Sequence, residues 1–224
     1  MNVTDMEVKL IDAMGSDISV VNAARVSFQK ESCFDINEEG CAELPNGDKR
    51  LIKYLADYNH FTPFCHAFAS FRIKAPIFVA RQLVKHQVGL SWNEVSRRYV
   101  STPPEFYFPQ YWRKAAENVK QGSALEEAKS FKRKEAEVIC MAALGMYNSM
   151  IEKGVCAEQA RMILPQNIMT EWVWSGSLMA FARVCKLRLD PHTQIETQEV
   201  ARHINTLMSA EFPESWKALN EAPN

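Results

Sequence analysis

Between Ala67 and Gly89 the hydrophobic period changes once, and that change constrains the fold more than any other feature of the chain. Ala67, Ala69, Phe71 and Ile73 alternate with Phe68, Ser70, Arg72 and Lys74, and a two-residue period places the apolar set on one face of a strand. Pro76 has no N–H to give to a ladder but suits the entry to a helix. Helical spacing then runs from Ile77 to His86, and Gly89 marks the predicted end, where a left-handed backbone is least strained. A half-buried strand that feeds a helix directly requires a sheet with its core on one side, shared by both elements.

The remaining pattern agrees with that demand. Glu7 to Ile11 reads as a strand and Asp17 to Val26 as an amphipathic helix with Ile18, Val21 and Ala24 inward. Gln29 to Asp48, rich in Glu, Asn, Gly and Pro, reads as a loop, and Leu51, Ile52, Leu55 and Ala56 give helical spacing up to Tyr58. Pro103, Pro104 and Pro109 make 101–110 an extended connection. Ser123 to Glu152 carries the longest helical pattern, with Phe131, Val138, Ile139, Ala142, Met146 and Met150 inward. Ile168 to Trp174 reads as a strand, and Ser177 to Leu187 as a helix with Leu178, Phe181, Ala182 and Cys185 on one stripe. Thr193 with Glu196 forms a capping box that opens a last helix through Met208. Helices and strands mix without regular alternation and no linker or repeat divides the chain, so the pattern predicts a single α+β domain over residues 1–224.

Composition narrows the partners. The 224 residues are 47% hydrophobic, enough for a sizeable core, and the formal net charge of -1 supplies no global cationic field for nucleic acid. Cys33, Cys41, Cys65, Cys140, Cys156 and Cys185 show no zinc-ligand spacing, so no metal site is expected. Asp5, Glu7 and Lys9 interrupt what a signal peptide would keep apolar, and no apolar run approaches bilayer length, which points to the cytoplasm and away from membranes.

The positive charge is local. Arg81 and Lys85 share one face of the helix before Gly89, and Gln82 and His86 share the neighbouring face. After Gly89 the helical period fails, and Ser91, Asn93, Glu94, Ser96, Arg97 and Arg98 crowd together with Trp92 and Val95 as the apolar anchors, which reads as a loop. Guanidinium forks match phosphate oxygens, hydroxyls add neutral donors, and Asn93 and Glu94 suit a sugar or a base edge. The segment reads as a binding site for an anionic small molecule.

These residues resemble the flavin-dependent thymidylate synthases, the ThyX family. That family's signature is Arg-His-Arg, seven residues and Ser, continuing through Asn-Glu-x-Ser-x-Arg-Tyr. Here Asn93 to Tyr99 match its second half, whereas the first half reads Lys85-His86-Gln87 and the spacer from Val88 to Val95 is one residue longer. Further blocks that are similar to the family occur in order: Met14 to Asp17, Ala23 to Phe28, His60 to His66, Lys74 to Gln82, Ala160 to Pro165 and Leu187 to His192.

The resemblance implies a twisted, mostly antiparallel sheet flanked by helices, assembled as a homotetramer with active sites between subunits. It implies methylation of dUMP to dTMP, with 5,10-methylenetetrahydrofolate as carbon donor, NADPH as reductant and FAD mediating both, and no enzyme nucleophile. It carries dUMP binding onto Gln82, Lys85, Glu94, Val95, Ser96, Arg97, Arg98, Arg161 and Arg188, with Ser96, Arg98 and Arg161 on the phosphate and Arg188 catalytic against the pyrimidine. It carries FAD binding onto Thr62, Lys85, His86, Gln87, Glu94, Ser177 and Arg183, and places His60 and His86 toward the flavin and folate. The changes at Lys85 and Gln87 motivate a second reading, a deoxyuridylate-binding protein of the same fold with impaired catalysis.

Overall fold

A computed structural model describes residues 1–100, 102–117 and 122–222. In chain order the elements are β1 (Asn2–Val3), β2 (Glu7–Met14), α1 (Asp17–Arg25), β3 (Asp35–Ile36), β4 (Ala42–Glu43), α2 (Asn46–Asp57), β5 (Phe68–Pro76), α3 (Ile77–Leu83) and β6 (Leu90–Glu94). They continue with β7 (Glu105–Phe106), β8 (Arg113–Ala115), β9 (Ser123–Glu127), α4 (Arg133–Glu152), α5 (Ala157–Ala160), β10 (Met169–Ser177), α6 (Leu178–Arg188), α7 (Ile195–Glu211) and α8 (Pro213–Glu221). Four strands pair antiparallel in the order β2-β5-β10-β6. This is the α+β architecture that the mixed pattern predicts.

The alternation in β5 places its apolar set on the covered face of the sheet, where Ala69, Phe71 and Ile73 are at most 1% exposed. Beside them Trp172 and Trp174 of β10 are buried, and α6, α7 and α8 close over this face with Phe181, Val184, Ile204, Met208 and Trp216. Phe181 meets Phe71 edge-on at 4.9 Å and Trp174 at 5.4 Å. Each such side chain contributes about 1.5–3 kcal/mol by leaving water, so this layer fixes the orientation of α6 and, with it, the side chains at its C-terminal end.

Several boundaries differ from the sequence reading. The helix after Pro76 stops at Leu83 rather than His86, because the His86 N–H bonds three residues back to the Leu83 carbonyl at 3.0 Å and the chain leaves the α-helical ladder. The stretch after Gly89 is a strand rather than a loop: Leu90 and Trp92 stand two apart, β10 supplies the hydrogen-bond partners, and Trp92 stacks on Trp172 at 4.4 Å. Gly89 keeps the left-handed conformation, φ 74°, as the pivot into β6. The extra residue in the signature spacer thus falls in a stretch that is partly sheet.

The long pattern from Ser123 divides into β9, paired with β8, and α4, which begins at Arg133 where the Glu135 carboxylate accepts from the Lys132 N–H at 3.0 Å. Its buried residues are Cys140 and Tyr147, whereas Val138, Ile139, Met141 and Met146, between 56% and 67% exposed, lie on the surface of the chain. Apolar residues occupy more than one stripe of α4, so periodicity alone could not select the inward phase. The N-cap of α7 is Gln194 rather than Thr193, whose hydroxyl donates to Leu187 O at 3.1 Å, and the Glu196 carboxylate accepts from Arg113 instead of closing a capping box. Beyond the predicted last helix comes α8, whose first N–H groups, Glu214 and Ser215, donate to the buried Asp17 carboxylate at 3.0 and 2.9 Å. Within the expected loop, β3 and β4 pair, and α2 starts at Asn46 because Asp48 is drawn inward to Arg25 and Ser32.

Candidate functional site

The signature helix, the C-terminal end of α6 and the first turn of α7 meet at one corner. Arg188, in the last turn of α6, donates through Nε to His86 Nε2 at 2.9 Å and through Nη2 to the Gln82 carbonyl at 3.2 Å. Burial, and then the neighbouring guanidinium, hold the His86 pKa below its ordinary value of 6.5. The imidazole is therefore neutral, with Nε2 as acceptor and the proton on Nδ1. Burial also lowers the Arg188 pKa, but an arginine retains its charge. The remaining guanidinium N–H groups border a cavity of about 670 Å³ lined by Gln82, Arg188, Asp190, His192 and Gln194. A cation held rigidly by two hydrogen bonds, with donors to spare, is suited to stabilising negative charge on a planar ring.

A second cluster forms at the far end of β6. Glu94, Val95, Arg97 and Arg161 line a groove of about 410 Å³. Ser96 lies beside it and its hydroxyl accepts from the Arg98 backbone N–H and Nε, both at 3.4 Å. Glu158 joins the two other arginines, its carboxylate 3.8 Å from Arg98 Nη1 and its carbonyl 3.3 Å from Arg161 Nε. The Glu94 carboxylate accepts from Thr170 at 2.7 Å and from Trp92 Nε1 at 3.2 Å, which fixes its direction on the sheet edge. Arg98 and Arg161 are exposed and loosely paired, and such guanidinium groups favour a dianionic phosphate over a single carboxylate.

The third group lies around the turn before β5. His60, stacked on Tyr54 at 5.9 Å, lines a cavity of about 670 Å³ with Thr62 and Arg25. Arg183 lies over the Phe61 ring at 5.5 Å. Lys85, Gln87, Thr62 and Arg183 are exposed and make no side-chain hydrogen bond among the described residues. Lys85 and Gln87 belong to the segment after α3 rather than to this turn, and the four side chains are uncommitted donors, two of them cationic, of the type that suits the pyrophosphate and polar ring edge of a flavin dinucleotide. Ser177 is different: it is 4% exposed and its hydroxyl caps α6 by accepting from Ala180 N at 3.2 Å. It shapes the helix entry and keeps its own O–H to donate.

Within one chain the structure therefore joins Gln82 to His86 and Arg188, Glu94 to Arg98 and Arg161, and His60 to Thr62, but Arg188 and Arg161 line different cavities. Thiol chemistry has no foothold in the two buried cysteines, since burial raises the Cys140 pKa and pushes Cys185 up to about 12. Cys65 is half-buried and points its thiol at the Phe61 carbonyl, 3.7 Å away. Residues that the sequence reading missed are Arg113, Gln194 and Thr197. The last two hold the Gln82 carboxamide, and only a spatial neighbour of the signature helix, invisible in linear spacing, could have revealed them.

Residues 9–214 match the family model described as thymidylate synthase complementing protein. A flavin-dependent thymidylate synthase of Thermus thermophilus is 40% identical over 218 residues, covering 96% of this chain and 75% of that one. The flavin-dependent thymidylate synthase of Thermosipho africanus is 35% identical over 213 residues, covering 94% and 89%. Among solved structures, a UMP/dUMP methylase, PolB from Streptomyces cacaoi, bound with 5-Br dUMP, superposes with a TM-score of 0.83 at 27% identity, covering 98% of this chain and 97% of that one. With the match running almost end to end, this chain belongs to the family of flavin-dependent thymidylate synthases.

Proposed function

We propose that this protein converts dUMP to dTMP by reductive methylation in the cytoplasm, using FAD, NADPH and 5,10-methylenetetrahydrofolate, as a homotetramer whose active sites are completed between subunits. The observation that carries the reading is the corner where Arg188 donates to His86 Nε2 at 2.9 Å and to the Gln82 carbonyl at 3.2 Å, with Arg161 lining a different cavity of the same chain. Each chain holds a ring-facing half, with Gln82, Lys85, His86 and Arg188, and a phosphate-facing half, with Glu94, Val95, Ser96, Arg97, Arg98 and Arg161. A partner chain supplying the complementary half would close one site around one nucleotide.

In this arrangement Ser96, Arg98 and Arg161 bind the phosphate, and Arg188 sits against the pyrimidine. Its guanidinium favours loss of the N3 proton or enolate character at a ring carbonyl, which raises nucleophilicity at C5 without a covalent enzyme adduct. The hydrogen bond to neutral His86 keeps Arg188 Nε from turning away, so less reorganisation accompanies charge development. Thr62, Lys85, Gln87 and Arg183 would hold FAD, with Glu94 and the His60 and His86 rings toward the flavin and folate. When bound, the flavin supplies the hydride that reduces the transferred one-carbon unit to a methyl group.

A single-turnover assay with NADPH, methylenetetrahydrofolate and dUMP tests the reading. Wild-type protein should form dTMP, and Arg188→Ala should lose about a hundredfold in rate, the effect of removing a donor worth roughly 3 kcal/mol in the transition state, with flavin still bound. Cys65→Ser should turn over at nearly the parent rate. An Arg188→Ala enzyme as fast as the parent, or a Cys65→Ser enzyme that is folded and dead, would overturn the assignment.

A further inference from the structure

We infer that Gln194 and Thr197, in the first turn of α7, fix the orientation of the Gln82 carboxamide and so make the pyrimidine site select uracil over cytosine nucleotides. The inference rests on the proposed function in one respect, that Gln82 faces the pyrimidine. Thr197 is fully buried and donates its hydroxyl to Gln82 Oε1 at 3.1 Å, while Gln82 Nε2 donates to Gln194 Oε1. Gln194 lines the Arg188 cavity, and the buried Thr197 lies behind it. The carboxamide oxygen is therefore turned toward the protein interior and the nitrogen toward the cavity.

A primary amide has two N–H donors; among the described residues Gln82 Nε2 donates to Gln194 alone, which leaves the second N–H for a ligand. The Gln82 backbone carbonyl accepts from Arg188 Nη2 at 3.2 Å. The Gln82 carboxamide nitrogen and the Arg188 guanidinium thus both bring donors to the cavity edge. Uracil presents carbonyl acceptors at O2 and O4 on either side of its own N3–H, and O4 answers the Gln82 N–H. Cytosine carries an amino group in place of O4, which sets donor against donor at Gln82 and leaves its N–H unpaired. If the carboxamide were free to rotate by half a turn, it would offer its oxygen to the amino group and the discrimination would fall.

The bracket is itself anchored. Glu196, between the two residues and 4% exposed, receives Arg113 Nη2 on both carboxylate oxygens, at 2.8 and 2.9 Å, and Gln198 donates to Thr193 O at 2.7 Å. The first turn of α7 thus cannot drift to follow a rotating Gln82. Gln194 and Thr197 act through Gln82 and are positioning residues.

Calorimetric titration of the intact protein with dUMP and with dCMP tests this. Wild-type protein should prefer dUMP by about a hundredfold. Thr197→Val keeps the shape of the side chain without the hydroxyl and should lower that preference about tenfold, through weaker dUMP and stronger dCMP binding; Thr197→Ser should restore it. Gln194→Met, on the cavity wall, gives the same measurement should Thr197→Val fail to fold, and should shift the ratio in the same direction. A folded variant with an unchanged dUMP to dCMP ratio would overturn the inference while leaving the proposed function standing. Wild-type protein that binds neither nucleotide would overturn both.

Discussion

Gly176→Ala should separate the signature strand from the sheet, and its consequence can be worked out from two contacts. Gly176 pairs with Leu90 at the start of β6, and a Cβ built there would lie 2.4 Å from Leu90 Cδ2 and 2.6 Å from the Gly89 carbonyl oxygen. Ordinary contacts begin near 3.4 Å. The leucine methyl has room to swing aside, but the carbonyl belongs to the backbone that accepts the Ser177 N–H at 3.2 Å, so strand β6 must retreat by the better part of an ångström. Overpacking of this kind costs about 1–3 kcal/mol, which for a chain of this size lowers Tm by roughly 2–12 °C. Scanning calorimetry at one fixed protomer concentration reads the loss, since assembly makes Tm concentration-dependent. Because Glu94 and Val95 hang from the other end of the same strand, dUMP affinity should fall as well. A variant with parental Tm and parental dUMP affinity would refute the idea that close approach of β10 and β6 positions the site.

Two further outcomes follow from single contacts. Asp17→Ala removes the acceptor for the first N–H groups of α8 and should cost about 1–2 kcal/mol in denaturant unfolding, with nucleotide affinity unchanged; a loss below about 0.3 kcal/mol, the level of a weak cap, would mean that water replaces the carboxylate. Because the folded state holds His86 neutral, the unfolded chain takes up a proton below pH 6.5 that the folded chain refuses, so stability should fall as pH drops through that value and level off below the folded pKa. By nuclear magnetic resonance the His86 ring should titrate below 6.5, and Arg188→Ala should move the midpoint upward; an unmoved midpoint would remove the guanidinium as a cause.

How much of this was legible in the linear chain depended on whether the signal was local. The β5 alternation and the α6 stripe of Leu178, Phe181, Ala182 and Cys185 were readable because burial on one face writes a single period, and all four stripe residues are buried. Strand β6 was missed because Ser91, Asn93 and Glu94 look like loop chemistry, although Leu90 and Trp92 carried a period of two that the stacking on Trp172 makes decisive. The capping box at Thr193 failed because Glu196 found a stronger, bidentate partner in Arg113, 83 residues away in sequence. For the site, residue types at motif spacing pointed to Gln82, His86 and Arg188, and the fold brings these three together. The clamp on Gln82 from Gln194 and Thr197 was not legible, since separations of 112 and 115 residues carry no local pattern.

The division of the arginines between two cavities has a genetic reading. Under the shared-site arrangement, a lesion at Arg188 and a lesion at Arg161 damage opposite halves, so chains bearing one each, co-assembled, would concentrate both defects in some sites and leave others whole. Two inactive alleles would then complement one another in a mixed oligomer, and a single defective allele would poison only the sites to which it contributes its broken half.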